Sequence, residues 1–132
     1  MKKLILAVIT SAILSTAAHA GAISSLGDAG AASAKFQIAH ALDQVDAVTG
    51  KTHDPMASFT YADKMTKKLD KLIVKGIRAK TSCLKIKSDW VKEQSDLVKA
   101  ESNDDELLAK ASLKVIDAAG DYIGSQCLSL TH

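Results

Sequence analysis

The clearest candidates for metal ligands are histidine and aspartate side chains at short spacing. His40 and Asp43 are three positions apart, so they would share one face of a helix, and His53 is followed directly by Asp54. Imidazole nitrogens and carboxylate oxygens are both zinc ligands. Single His and Asp residues on a helix surface or before a proline are, however, ordinarily solvated groups or turn formers. We therefore expect no metal site and no cofactor.

The sequence contains none of the local motifs that mark the common catalytic centres. G-x-S-x-G, H-E-x-x-H, the phosphate-binding P-loop and the dinucleotide fingerprint are all absent. Ser, His and Asp residues occur, but a catalytic triad is defined by its geometry and not by sequence position. An enzyme would need a concave site that gathers ionisable groups such as His40, His53 or Asp54. We expect a protein that is not an enzyme and has no catalytic residues.

Cys83 and Cys127 are the two cysteines of the chain, and their positions predict a disulfide. In an oxidising compartment two cysteines most simply pair. Cys83 opens a predicted third helix and Cys127 follows the end of a predicted fourth, so an antiparallel hairpin folded near residue 105 brings them together. A redox-active or metal-binding pair is disfavoured, because there is no C-x-x-C motif and no histidine within four positions of either cysteine.

Two further helices are predicted before that hairpin. A first helix over 31–49 carries apolar residues at helical spacing and is stopped by Gly50. Its apolar residues are Phe36, Ile38, Leu42, Val45 and Val48. Residues 21–34, which overlap its start, are small and weakly polar, so we expect a loose N-terminal arm, with Asp28 a candidate cap for the first helix. A loop containing Asp54-Pro55 precedes a second helix that Ser58 or Thr60 would cap.

Polar residues, and not glycine or proline, set the remaining helix boundaries. Thr81-Ser82 is the predicted bend, because one helix from residue 60 to 101 would be about 63 Å long at 1.5 Å per residue. Residues 102–105 form the next predicted turn, and a fourth helix then runs to about Gln126. Its charged residues fall in one narrow stripe, which predicts that it is the buried helix. We expect an all-α fold, a small antiparallel bundle of about four helices with one disulfide.

Residues 1–20 have the pattern of a cleaved secretory signal peptide. Lys2 and Lys3 precede an uncharged apolar run, and Ala18-His19-Ala20 is a small-x-small cleavage site. A membrane anchor is disfavoured, because the run is shorter than the roughly 20 apolar residues of a spanning helix. We therefore expect a bacterial protein that is periplasmic or secreted after cleavage following Ala20. The mature chain would comprise the arm, 21–34, and a single helical domain, 35–132.

Removal of the signal peptide reveals a segregated charge distribution. The chain has 17 basic and 15 acidic residues, and loss of Lys2 and Lys3 leaves 15 of each. Residues 59–80 nevertheless hold seven basic residues against two acidic ones, a net charge of +5, while 102–132 sum to −3. Six of these cations lie on one side of the second helix, opposite its apolar stripe. They are Lys64, Lys67, Lys68, Lys71, Lys75 and Arg78.

This basic face indicates an acidic protein partner, or is simply a solvated surface. Peripheral contact with anionic lipid is a further option. We expect no nucleic-acid partner, because the face lacks interleaved aromatic residues and the mature chain is neutral. The oligomeric state is not indicated by any pattern in the sequence.

Trp90, Gln94 and Leu97 are the candidates for an apolar pocket. Gln94 interrupts the apolar face of the third helix, where it is either a hydrogen-bonded core amide or part of a polar pocket. A pocket there would favour a periplasmic chaperone or a carrier of an apolar ligand. The main expectation is a non-enzymatic protein that binds a protein partner through its basic face. A toxin-immunity protein, or an accessory of a secretion or conjugation system, is the second alternative.

Overall fold

The computed structural model describes residues 16–50, 54–102 and 105–132, and these residues form four α-helices and no strand. Helix α1 spans Thr16–Val48, α2 spans Pro55–Arg78, α3 spans Cys83–Glu101 and α4 spans Glu106–Thr131. The predicted all-helical, four-helix arrangement is confirmed. Residues 1–15, which hold most of the predicted signal peptide, lie outside the described residues, so its cleavage stays a prediction.

Helix α1 includes the segment expected to be a loose arm. Residues 21–34 are helical, and Gly27 lets α1 approach the backbone of α4. A Cβ added at Gly27 would lie 2.6 Å from the Ser125 carbonyl oxygen and 2.7 Å from the Ser129 nitrogen. The Ser129 hydroxyl also donates a hydrogen bond to Asp28. Tertiary packing thus supplies the order that local propensity lacks.

Capping residues explain where the other helices begin. Helix α2 begins earlier than predicted, because Asp54 and not Ser58 or Thr60 is its N-cap, accepting hydrogen bonds from the Met56 and Ala57 backbone nitrogens. Pro55 then occupies the first helical turn, where its missing N–H costs nothing. The predicted bend and turn are confirmed: Ser82 caps α3 and Asp105 caps α4.

Two helices end in the left-handed conformation that terminates a helix. Gly50 has φ +77°, as its position after α1 predicts. Lys80 adopts φ +60° after α2. There the Lys80 nitrogen donates to the Ile77 carbonyl and the Thr81 nitrogen to the Gly76 carbonyl, each at 2.9 Å, which is the Schellman pattern. A lysine therefore occupies a position that glycine normally fills.

The core lies along α4, which confirms that this is the buried helix. Nine α4 residues are buried, against one in α3. Ile38 of α1, Ile73 of α2 and Ile123 of α4 are fully enclosed, so each of these helices contributes to one core. Helix α3 is peripheral: the broad apolar face expected for it is only partly covered, and Leu84 is 76% exposed.

Phe36 is not part of the buried stripe of α1. The buried apolar side chains of its described part are mostly alanines, namely Ala31, Ala34, Ala39 and Ala41, together with Ile38. Phe36 is instead 64% exposed. Small residues face the core because α1 and α4 run so close together that large side chains do not fit between them.

Candidate functional site

Cys83 and Cys127 form the predicted disulfide. Their Cα atoms are 5.7 Å apart, and Cys127 is fully buried. Lys87 of α3 lies 3.3 Å from Asp121 of α4, and Val91 contacts Gly120, so the two helices run antiparallel from the bond. The disulfide joins the open end of the α3–α4 hairpin, as the position of the turn predicts.

The basic face lies on the solvent side of α2. All six of its residues, Lys64, Lys67, Lys68, Lys71, Lys75 and Arg78, are exposed. The opposite side of the helix buries Ala62, Leu69 and Ile73. Because burial of that apolar stripe fixes the rotation of α2, the cations must point away from the bundle.

Among the residues that the structure describes, one member of the basic face has an ion-pair partner and five have none. Lys67 lies 3.2 Å from the Asp63 carboxylate. The other five cations form no ion pair with any residue in the described part of the chain. Asp63 also accepts a hydrogen bond from Lys35 at 2.5 Å. The Lys35 hydrogen bond and then Lys67 hold the pKa of Asp63 below its usual range. The ion pairs of α2 with described residues thus lie at its N-terminal end, around Asp63.

A shallow open depression of about 430 Å³ lies within the basic face. It is lined by Asp70, Lys71, Val74, Lys75 and Arg78. Three cations and one carboxylate, Asp70, surround Val74, so the depression has a net positive charge that attracts carboxylates.

Tyr122 fixes the one acidic residue of that depression. Its hydroxyl donates a hydrogen bond to Asp70 at 2.7 Å, which links α4 to α2. Burial, and then the neighbouring Asp70 carboxylate, raise the pKa of Tyr122 well above its usual value. We did not identify this pair from the sequence. The available signal is a tyrosine in the buried helix, since a buried Tyr hydroxyl usually has a hydrogen-bond partner.

The residues of the candidate apolar pocket do not surround the depression. Trp90 is half-buried and packs against the core, Gln94 is half-buried, and Leu97 is 45% exposed. All three lie on α3, whereas the depression lies on α2.

The described candidate metal ligands each form hydrogen bonds with different partners. His40 is exposed and hydrogen-bonded to Gln44 at 3.3 Å, while Asp43 accepts a hydrogen bond from Ser58. Asp54 caps α2, and His53 lies outside the described residues. No group of three or more potential metal ligands occurs among the residues that the structure describes.

An aromatic cluster beside the basic face was missed by sequence reasoning. The Phe36 and Phe59 rings are 5.6 Å apart between centroids, and the Lys35 ammonium lies 5.4 Å from the Phe59 centroid. Phe36 fits the apolar periodicity of the first helix, which predicts burial, so the sequence pattern does not indicate its exposure. The pair joins α1 to α2 at the surface.

No helix in the described ranges is both long and apolar enough to cross a membrane. No protein-family model, curated protein or solved structure was found to match the chain.

Proposed function

We propose that the protein is exported, is not an enzyme, and binds an acidic surface of a protein partner through the basic face of α2. The observation that carries this proposal is the set of five exposed cations with no ion pair to a described residue, gathered on one helix of a mature chain whose total charge is zero. Concentrated charge of one sign steers a partner of the opposite sign and raises its association rate.

The alternative of a solvated surface predicts a different pattern of pairing. Cations that serve only solubility are usually interspersed with carboxylates, as Lys85 and Asp89 are on α3, 2.9 Å apart. On the basic face only Lys67 has such a partner among the described residues. The depression between Lys71 and Arg78 also gives a carboxylate more than a flat surface to contact.

The test is capture of partners from the periplasm of the protein's own host, with a charge-reversed variant. Lys68, Lys71 and Lys75 are each replaced by Glu. The matched control replaces Lys92, Lys99 and Lys110, which are exposed on α3 and α4, and so makes the same change in net charge. We expect crosslinked partners to be lost with the first variant and retained with the control. Equal capture by both variants would exclude the basic face as the binding site.

Export is tested separately from binding. Cleavage after Ala20 would leave a chain that begins at Gly21, within α1. Mass spectrometry of the exported protein should therefore give the mass of residues 21–132. A mass that includes Met1 would contradict the predicted processing.

A chaperone or carrier of an apolar ligand is the second candidate, and the exposed apolar side chains favour it. Phe36, Met56 and Tyr61 are 64%, 76% and 59% exposed. A chaperone acting through these side chains should suppress the aggregation of an unfolded client equally well in low and high salt. Suppression that disappears in high salt would favour the basic face instead.

A further inference from the structure

The aromatic cluster on α1 and α2 is an exposed apolar patch with fixed geometry. We define the apolar patch as Phe36, Met56 and Phe59, which are 64%, 76% and 38% exposed. Met56 and Phe59 are three positions apart on α2 and so lie on neighbouring turns of one side. Single exposed apolar residues are common, but grouped ones with ring contact between two helices mark a contact surface.

Lys35 holds the patch in place and joins it to the basic face. Its ammonium lies 5.4 Å from the Phe59 ring centroid and 2.5 Å from Asp63. The second oxygen of Asp63 lies 3.2 Å from the Lys67 ammonium, which belongs to the basic face. The order Phe36, Phe59, Lys35, Asp63, Lys67 is therefore continuous across the surface. Side chains that are already ordered lose little entropy when a partner binds.

The distance along α2 from the apolar patch to the end of the basic face sets the length of a partner segment that could contact both surfaces. Phe59 and Arg78 are 19 positions apart, or about 28 Å at 1.5 Å per residue along the helix. An extended segment covers that distance with about nine residues at about 3.3 Å each. The two surfaces thus match one short linear segment.

We propose that the partner presents an acidic segment with one aromatic or large aliphatic side chain, which sits on the apolar patch while its carboxylates lie along the basic face. This assignment rests on the proposed function of the basic face and adds the apolar anchor. Charge complementarity specifies the acidic part, since the cations from Lys68 to Arg78 have no ion pair with a described residue. The exposed rings indicate where the apolar side chain of the partner binds, because aromatic contacts that become buried supply much of the binding energy of protein interfaces. Charges mainly set the association rate and the alignment of the two partners.

The experiment is a selection from a displayed library of random peptides, about twelve residues long to exceed the span at about 3.3 Å per residue. Baits are the wild-type mature protein, Phe36→Ala, Met56→Ala and a matched control, Leu84→Ala, whose side chain is 76% exposed on α3. We expect the wild type and the control to enrich peptides that are acidic and carry an aromatic or large aliphatic residue. The tightest peptide should bind Phe36→Ala about tenfold more weakly, the loss of one anchor contact.

The outcomes separate this inference from the proposed function. Acidic peptides without an enriched apolar residue, or equal affinity for Phe36→Ala and wild type, would overturn the anchor and leave the basic face standing. Peptides with no acidic bias would overturn both. If no peptide is enriched and the protein binds anionic lipid vesicles, the occupant is a membrane and not an acidic segment. If no peptide is enriched and the protein self-associates, the occupant is a second copy. Either result would overturn the proposal. Thermal unfolding of each bait checks that the variants are folded, and Met56→Ala gives an independent reading of the same patch.

Discussion

Replacement of Gly27 by Ala tests whether the N-terminal part of α1 is docked against α4. An alanine Cβ at this position would lie 2.6 Å from the Ser125 carbonyl oxygen and 2.7 Å from the Ser129 nitrogen, both backbone atoms. Ordinary van der Waals contact begins at 3.4 Å, so the two helices must separate locally by about 0.8 Å. Overpacking of this kind costs about 1–3 kcal/mol, while Gly→Ala in a helix gains up to about 1 kcal/mol.

Because both atoms that the Cβ meets belong to the backbone and cannot rotate away, the overpacking cost lies in the upper part of that range, about 2–3 kcal/mol. After subtraction of the gain in helix propensity, the expected net effect of Gly27→Ala is a loss of about 1–2 kcal/mol in the free energy of unfolding. The assay is urea unfolding of the disulfide-intact mature protein, followed by far-UV circular dichroism. Gly30→Ala is the matched control, because the nearest atom is the Ser125 hydroxyl oxygen of a movable side chain at 2.5 Å. Its cost should be smaller.

The sign of the effect decides between the two descriptions of residues 21–34. In a loose arm Gly27→Ala would be neutral or would stabilise the helix by up to about 1 kcal/mol. An unchanged or increased free energy of unfolding would therefore refute the docking of α1 against α4. A loss in Gly27→Ala that exceeds the loss in Gly30→Ala agrees with it.

Three further predictions concern the fold. Lys80→Gly should raise the free energy of unfolding by about 0.5–1 kcal/mol in a urea titration, because glycine relieves the left-handed backbone at the end of α2; a loss would contradict it. Reduction of the Cys83–Cys127 bond, which closes a loop of 44 positions, should lower the unfolding free energy by about 4 kcal/mol, and a negligible change would refute its role. The pKa of Tyr122 is raised in the folded protein, so as the pH rises the tyrosine of the unfolded chain loses its proton before the tyrosine of the folded protein does. The free energy of unfolding should therefore fall as the pH rises above about 10. Tyr122→Phe, which also lacks the hydrogen bond to Asp70, should show a smaller fall, measured as melting temperature against pH.

Features set by local chemistry could be predicted from the sequence. The Ser82 cap and the 102–105 turn follow from side chains that bond to the adjacent backbone. The disulfide follows from hairpin symmetry, because two helices of similar length that fold at residue 105 must place Cys83 opposite Cys127. The residues of the basic face could be named from the sequence once the apolar stripe of α2 was located, because the cations lie on the opposite side of the helix.

Features set by long-range packing could not be predicted in the same way. The glycines of 21–34 reduce helix propensity, and only the partner backbone at Ser125 and Ser129 explains why they are helical. Phe36 fits an apolar periodicity, yet a stripe of alanines is buried in its place because α4 lies close. Tyr122 and Asp70 are 52 positions apart, so nothing in the local sequence indicates that they bond.

The most direct measurement of the central claim is the affinity of the captured partner in low and high salt. Kd is measured for the wild type, for the variant with Glu at Lys68, Lys71 and Lys75, and for the control with Glu at Lys92, Lys99 and Lys110. At about 0.05 M salt the first variant should bind at least about tenfold more weakly than the control, and the difference should shrink at about 0.5 M salt, where exposed charges are screened. Equal affinities for the two variants, or a difference that persists unchanged in high salt, would contradict binding through the charge of the basic face.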